Sequence, residues 1–418
     1  MHRYSQNPAT LNAALVANDA TILRGWPVFP LTLICATLGS VEFRYSIAKD
    51  IAMPIRARDL QIPFRGQPGA HNAITDVAGV SVGHTTLISG DGALVVGQGP
   101  VRTGVTVIRP RGQQDEPVFA AWYSLNGNGE MTGTTWIEES GFLEGPIGLT
   151  NTHSVGTVRD AIIAWQIARD PSKGDMAYWS LPIVAETYDG MLNDINGFHV
   201  KAEHVVSALE SAASGAVAEG AVGGGTGMIC HQFKGGIGTS SRLVHTDHGD
   251  YTLGILVQAN YGRRDHLTIA GVPVGRHLPD VPLPKHAGSL PPGSGSIIIV
   301  LATDAPLLPH QLKRLTRRIP MGLALLGGIA GHTSGDIFVA FSTANPEAAR
   351  GRGVTQLAML PNDVMNPLFE ATIEATEEAI VNALVAAPTM VGINGYTVPA
   401  LPHEQVRDVL RQYGRLAE

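Results

Sequence analysis

Between residues 295 and 296 the chain changes character in a single step. Residues 276–295 (RHLPDVPLPKHAGSLPPGSG) contain five prolines and three glycines, a composition that forms no regular element and belongs on the surface. The next nine residues, SIIIVLATD (296–304), begin an apolar run of the kind that makes a buried strand. The chain must therefore pass from solvent to core at Ser296. Held there, the Ser296 hydroxyl lies beside the Gly295 carbonyl and can attack it. An N→O acyl shift followed by hydrolysis would cut the backbone and free an α-amine on Ser296. Glycine at 295 leaves the carbonyl unshielded and allows backbone angles that other residues resist. The freed amine would have a pKa of about 8, which suits a base for the adjacent hydroxyl. Ser294 also follows a glycine, but it sits inside the loose segment, where nothing preorganises an attack. Taken alone, the same residues also describe an ordinary loop-to-strand junction.

The flanking sequence alternates strand and helix patterns. Residues 76–87, 103–109, 117–124, 252–260, 296–304 and 336–343 read as strands, rich in β-branched and apolar residues between Gly and Pro breaks. Helices are expected over 158–168, over 200–213 with Val205, Val206 and Leu209 on one face, and over 309–326. Another is expected over 363–386, with Glu370, Glu374, Glu377 and Glu378 on its exposed side. Long apolar strands mixed with helices predict an α/β protein of sheets covered by helices.

With 418 residues, 44% of them hydrophobic, the chain can bury a large core. Its net charge of −7 and lack of a Lys/Arg run leave no basic footprint for nucleic acid or an anionic membrane. The two cysteines, Cys35 and Cys230, make no disulfide framework and fit no zinc spacing. Residues 25–41 are apolar but too short and too broken by Pro and Gly for a membrane span. Residues 1–54 read as an extension ahead of a single domain over 55–418. The expected location is cytoplasmic, or periplasmic if residues 25–41 act as an export signal. Lys234-Gly235-Gly236-Ile237-Gly238 lacks the order of a phosphate loop and reads as a tight backbone segment near the active site. His245, Asp247, His248 and Asp250 read as a solvated loop, so no metal and no cofactor is expected.

The stretch GSIIIVLATDAPLLPHQLKRL resembles the nucleophile segment of the L-aminopeptidase/D-amidase–esterase and β-peptidyl aminopeptidase family, the DmpA type. Further blocks follow in the family's order: residues 56–87, NGNGEMTG (126–133), LTNTHSVGTVRDA (149–161), PIVAETYDGMLND (182–194), GTGMICHQFKGGIGTSSR (225–242), LVQANYG (256–262) and HTSGDIFVAFSTAN (332–345). The resemblance implies a layered αββα-type sandwich of the DmpA/ornithine acetyltransferase kind. It implies cutting between Gly295 and Ser296 into a large chain ending at 295 and a small chain over 296–418. It places the oxyanion-stabilising Asn on Asn260, and a Ser-x-acid element on Ser334 and Asp336, where some members carry Glu in place of the Asp. Glu186 and Tyr188 fall on the substrate pocket, where a carboxylate would hold the free ammonium of the substrate.

The implied activity is removal of amino-terminal residues from small peptides, amides or esters of L-, D- or β-amino acids. A homo-oligomer of cleaved units is implied as well. The competing readings are an acyltransferase of the ornithine acetyltransferase kind and an uncleaved binding protein. The first uses Thr as nucleophile, against Ser296 here; the second would give an intact chain.

Overall fold

A computed structural model describes residues 55–416 apart from 115, 171, 176–177, 285–294 and 350–352. The expected extension over 1–54 lies outside the described residues, as do residues 285–294 of the Gly/Pro segment. The strands are β1 (Ser81–Ser89), β2 (Val101–Arg109), β3 (Val118–Gly127), β4 (Phe142–Leu143), β5 (Ile147–Asn151), β6 (Ile183–Thr187), β7 (Ile229–Cys230), β8 (Phe233–Lys234), β9 (Gly236–Thr246), β10 (Gly249–Asn260), β11 (Gly295–Thr303), β12 (Ser334–Ser342), β13 (Met390–Val391) and β14 (Thr397–Val398). The helices are α1 (Thr134–Ser140), α2 (Val155–Arg169), α3 (Ser172–Asp175), α4 (Ala202–Glu210), α5 (Pro309–Thr316), α6 (Ile319–Leu325), α7 (Asn366–Ala386) and α8 (His403–Gln412).

Two sheets stack face to face. The smaller runs β1-β2-β5-β6 and the larger β4-β3-β12-β11-β10-β9. Side-chain alternation along β11 shows what lies on each side. Ile298, Val300 and Ala302 join Ile147, Leu149, Ile183 and Ala185 in a core between the sheets. Ile297, Ile299 and Leu301 face the other way, into a core shared with Leu312, Leu315, Ile319, Leu323 and the buried face of α7. On the far side of the small sheet, Val105, Val107 and Val184 pack against α2 and α4. The order of layers is helix, sheet, sheet, helix, the αββα sandwich that the resemblance implies.

Several elements differ from their sequence-based bounds for local reasons. The strand expected from residue 76 starts at Ser81, because the Asp76 carboxylate accepts from the His71 and Ala73 amides and closes a turn there. The helix expected over 309–326 is two helices, α5 and α6, with Pro320 in the first turn of the second. The segment expected to be exposed from residue 276 begins with a 3₁₀ turn, Val274–His277, and buries Leu278 and Pro284. The Gly235–Gly238 run does lie beside the site, since Gly236 pairs with Ala259, one residue before Asn260. What it admits is a helix rather than a substrate: a Cβ at Gly238 would lie 2.0 Å from the Ala379 carbonyl oxygen of α7. His245 and Asp250 face each other at 2.8 Å across the β9–β10 hairpin, both exposed. Among the described residues no helix is long and apolar enough to cross a membrane.

Glu378 is not on the exposed side of α7. It is fully buried and pairs with Arg58 at 2.6 Å and with Arg242 at 2.8 Å, while Asn72 donates to it at 2.6 Å. Burial works to raise its pKa, but the Arg58 and Arg242 guanidiniums and the Asn72 amide outweigh it and hold the carboxyl below the usual range. Sequence periodicity misses this because the partners come from 55–76 and β9, far away in the chain. Removing the charge would leave the buried Arg242 with only the more distant Glu374, at 3.6 Å, as counter-ion. Glu378→Gln is therefore expected to cost about 3–5 kcal/mol, read as a lower midpoint in chemical denaturation.

Candidate active site

Ser296 sits near the mouth of the large sheet, one residue into β11. Antiparallel pairing sets it opposite Asn260 at the end of β10, and parallel pairing sets it beside Gly335 of β12. Its hydroxyl donates to the Gly295 carbonyl oxygen at 2.6 Å and accepts from the Gly335 amide at 3.2 Å. Gly295 is needed here for space. A Cβ on it would lie 2.7 Å from the Asn260 carbonyl oxygen and 2.8 Å from the Tyr261 Cα. The step from loop to strand read in the sequence is thus a place where a hydroxyl is held against the preceding carbonyl by two neighbouring strands.

Asn260 is buried, and both ends of its amide are tied. Its Oδ1 accepts from the Ile229 amide at 2.8 Å, and its Nδ2 donates to the Tyr188 carbonyl at 3.0 Å. A primary amide carries two N–H groups, so one is left over for a ligand. Glu186 closes β6 on the small sheet and is 3% exposed. It accepts from the Glu130 amide at 3.1 Å and, through a short contact, from the Thr152 hydroxyl. Burial raises its pKa, opposed by the Thr152 and Glu130 bonds. Tyr188 is partly exposed, and burial of its phenol, with Asp189 nearby, raises its pKa, so it stays protonated. Ser296, Gly295, Asn260, Glu186 and Tyr188 all line one cavity of about 1150 Å³ between the sheet ends, together with Gly127–Glu130, Thr152, Ile229 and Arg263–Asp265.

Ser334 and Asp336 are placed differently. The Ser334 hydroxyl donates to Asp336 Oδ1 at 2.6 Å, so the two are joined as the Ser-x-acid spacing suggests. Yet both are in phase with Phe338 and Ala340 on the helix side of the sheet, while Ser296 is in phase with Ile298 on the side facing the small sheet. Ser334 lies opposite Gly295 in the register, and Asp336 opposite Ile297. The pair therefore flanks the backbone of residues 295–297 and does not touch the Ser296 hydroxyl. Burial raises the Asp336 pKa, against bonds from Ser334, the Ile297 amide and Asn126.

Comparison with known proteins assigns the chain to a family. The model of peptidase family S58 matches residues 72–398. The chain belongs to that family. It is 56% identical over 373 residues to the β-peptidyl aminopeptidase BapA of Sphingosinicella microcystinivorans, covering 87% of this chain and 93% of that one. Among solved structures it superposes on the L-aminopeptidase D-Ala-esterase/amidase of Ochrobactrum anthropi, described as a variant of the Ntn hydrolase fold, with TM-score 0.81 and 49% identity over 87% of this chain and 99% of that one. A Burkholderia sp. β-aminopeptidase matches with TM-score 0.78 and 51% identity over 86% and 99%. The S58 assignment makes the chain an amino-terminal-serine aminopeptidase, a hydrolase, and decides against the acetyltransferase reading.

Sequence reasoning missed two parts of this S58 site. Asn126 accepts from the Asp336 amide at 2.7 Å through Oδ1 and donates to the Gly331 carbonyl at 2.9 Å through Nδ2, at a point where the β3–β12 register slips. Thr152 holds Glu186. Both lie in blocks quoted for the family resemblance, NGNGEMTG and LTNTHSVGTVRDA, but nothing in their spacing reveals the partner. Glu186 also yields a pH dependence. A carboxyl that binds an ammonium must be ionised, and burial moves its protonation to higher pH than in an ordinary glutamate. KM for substrates with a free amine should rise on acidification, beginning above the normal glutamate range. Glu186→Gln should raise KM throughout and remove that limb, as measured by steady-state kinetics from about pH 4 to 9.

Proposed function

We propose that the chain cuts itself between Gly295 and Ser296 and then uses Ser296 as the nucleophile of an aminopeptidase. The observation that carries this is the Ser296 hydroxyl at 2.6 Å from the Gly295 carbonyl oxygen, on the wall of the cavity that holds Glu186. In self-cleavage Oγ attacks the Gly295 carbonyl carbon, and the free N–H of Asn260 Nδ2 takes up the charge on its oxygen. The C–N bond breaks, the amine of Ser296 takes the proton, and water hydrolyses the ester to a Gly295 carboxylate. Ser334 and Asp336 flank this peptide and are suited to orient it, and later to hold the new amine.

In turnover the amine of Ser296 accepts the hydroxyl proton as Oγ attacks the substrate carbonyl. The departing amine takes that proton, and a water releases the acyl group. Glu186 pairs with the substrate's ammonium and Tyr188 borders it. An internal residue of a long chain offers no cation to such a buried carboxylate, which favours trimming from the amino end. The β-peptidyl names of its relatives favour substrates with an amino-terminal β-amino acid. Assembly of cleaved units into a homo-oligomer belongs to the same reading.

Purified protein should give two bands on a denaturing gel, roughly 31 and 13 kDa when 44.1 kDa is shared by residue number. Ser296→Ala should stay as one band and lose activity. An intact wild-type chain that hydrolyses at full rate would overturn the mechanism. On a panel of p-nitroanilides, β-alanyl should be released faster than L-alanyl or D-alanyl; a preference for either of the others would overturn the substrate assignment while leaving the nucleophile in place.

A further inference from the structure

Lys234 is an ionisable group for which the reaction above has no use. It is 0% exposed, and among the described residues no carboxylate pairs with it. A lone buried cation is costly unless hydrogen bonds replace its water. Its ammonium donates to three backbone carbonyls, Gly235 at 2.7 Å, Met228 at 2.8 Å and Gly225 at 3.3 Å. Three donors on three acceptors use the whole hydrogen-bonding capacity of the charged form.

The Met228 carbonyl belongs to the same peptide group as the Ile229 N–H, and that N–H donates to Asn260 Oδ1 at 2.8 Å. In a trans peptide the two point in opposite directions, so fixing one fixes the other. The Gly235 amide also donates to the Met228 carbonyl, at 2.9 Å. Burial pushes the Lys234 pKa down to about 7 while the three carbonyls favour its charged form, and in that form it polarises the peptide it grips and makes the N–H at the other end a better donor. The order is therefore Lys234 ammonium, Met228–Ile229 peptide, Asn260 oxygen, Asn260 Nδ2, cavity. The Ile229 N–H on Oδ1 and the Tyr188 carbonyl on Nδ2 together set which end of the Asn260 amide faces the cavity.

We infer that Lys234 is a positioning residue for the oxyanion site: through the Met228–Ile229 peptide it sets which end of the Asn260 amide faces the reacting carbonyl. This rests on the role proposed above for Asn260. It also gives the buried lysine ahead of the glycine run a purpose that a phosphate-loop reading does not supply.

The test is a double-mutant cycle between Lys234→Met and Asn260→Ala. Rates are taken per processed chain, counted by mass spectrometry, or on self-cleavage itself if too few chains are processed. Lys234→Met, which keeps the length and removes the charge and donors, is expected to lower kcat by about tenfold with KM within about twofold, a part of the 10²–10³ that loss of an oxyanion donor costs. In the Asn260→Ala background the same change should cost nothing further. Equal losses in both backgrounds, or an unchanged kcat in Lys234→Met, would overturn the role of Lys234. An Asn260→Ala protein with normal kcat would instead overturn the oxyanion assignment beneath it. Hydrogen exchange in the wild type keeps the question open to decision if Lys234→Met does not fold. The Ile229 amide should exchange as slowly as the centre of β10, and exchange at loop rates would refute a fixed peptide.

Discussion

The register of β11 between β10 and β12 sets almost everything else. Backbone hydrogen bonds on both sides pin Ser296 opposite Asn260 and beside Gly335, and a slip of one residue would turn its side chain to the other face of the sheet. The strand is gripped in turn by two hydrophobic cores, one against the small sheet and one against α5–α7, so the slip is prevented by burial as well as by pairing. A chain end made by the proposed cleavage would otherwise fray; here it would be the first part of a central strand.

This arrangement divides the labour of the site between the two faces of one sheet. Ser296 and Asn260 open into the cavity, which the small sheet completes with Glu186 and Tyr188. Ser334 and Asp336 lie behind, against the backbone of residues 295–297. In the proposed mechanism the first pair meets the reacting carbonyl of a substrate and the second the peptide nitrogen that would become the working amine. The Tyr188 carbonyl, bonded to Asn260 Nδ2, links the part of the cavity wall that carries Glu186 to the end of β10. Outside the cavity, buried polar groups such as Glu378 with Arg58 and Arg242 tie the 55–76 segment to α7 and β9 and keep the outer layer of helices in place.

The junction at Gly295–Ser296, the alternation of strands with helices and the Ser-x-acid spacing could all be read from local sequence, because each is a contrast or a period within a few residues. So could β11 and β12, whose continuous apolar runs leave little choice of structure. What local reading got wrong depended on distant partners. Glu378 has the spacing of an exposed helix face and is buried because two arginines from elsewhere neutralise it. Pro320, which has no N–H to continue a helix, starts a new one, and Asp76 closes a turn with two accepted hydrogen bonds. The glycines after Lys234 were legible as a close approach, but only the fold shows that α7 is what approaches.

The sequence by itself determined the family and the layered α/β class and singled out the Gly295–Ser296 junction, since composition at one bond and short motifs in order are properties of the chain. The tertiary structure decided which side of the sheet each group occupies, what burial does to the Glu186 and Asp336 carboxyls, and that Lys234 reaches Asn260 through a peptide. Those facts follow from strand pairing and exclusion of water between residues far apart in the chain, and neither is written in any local stretch of it.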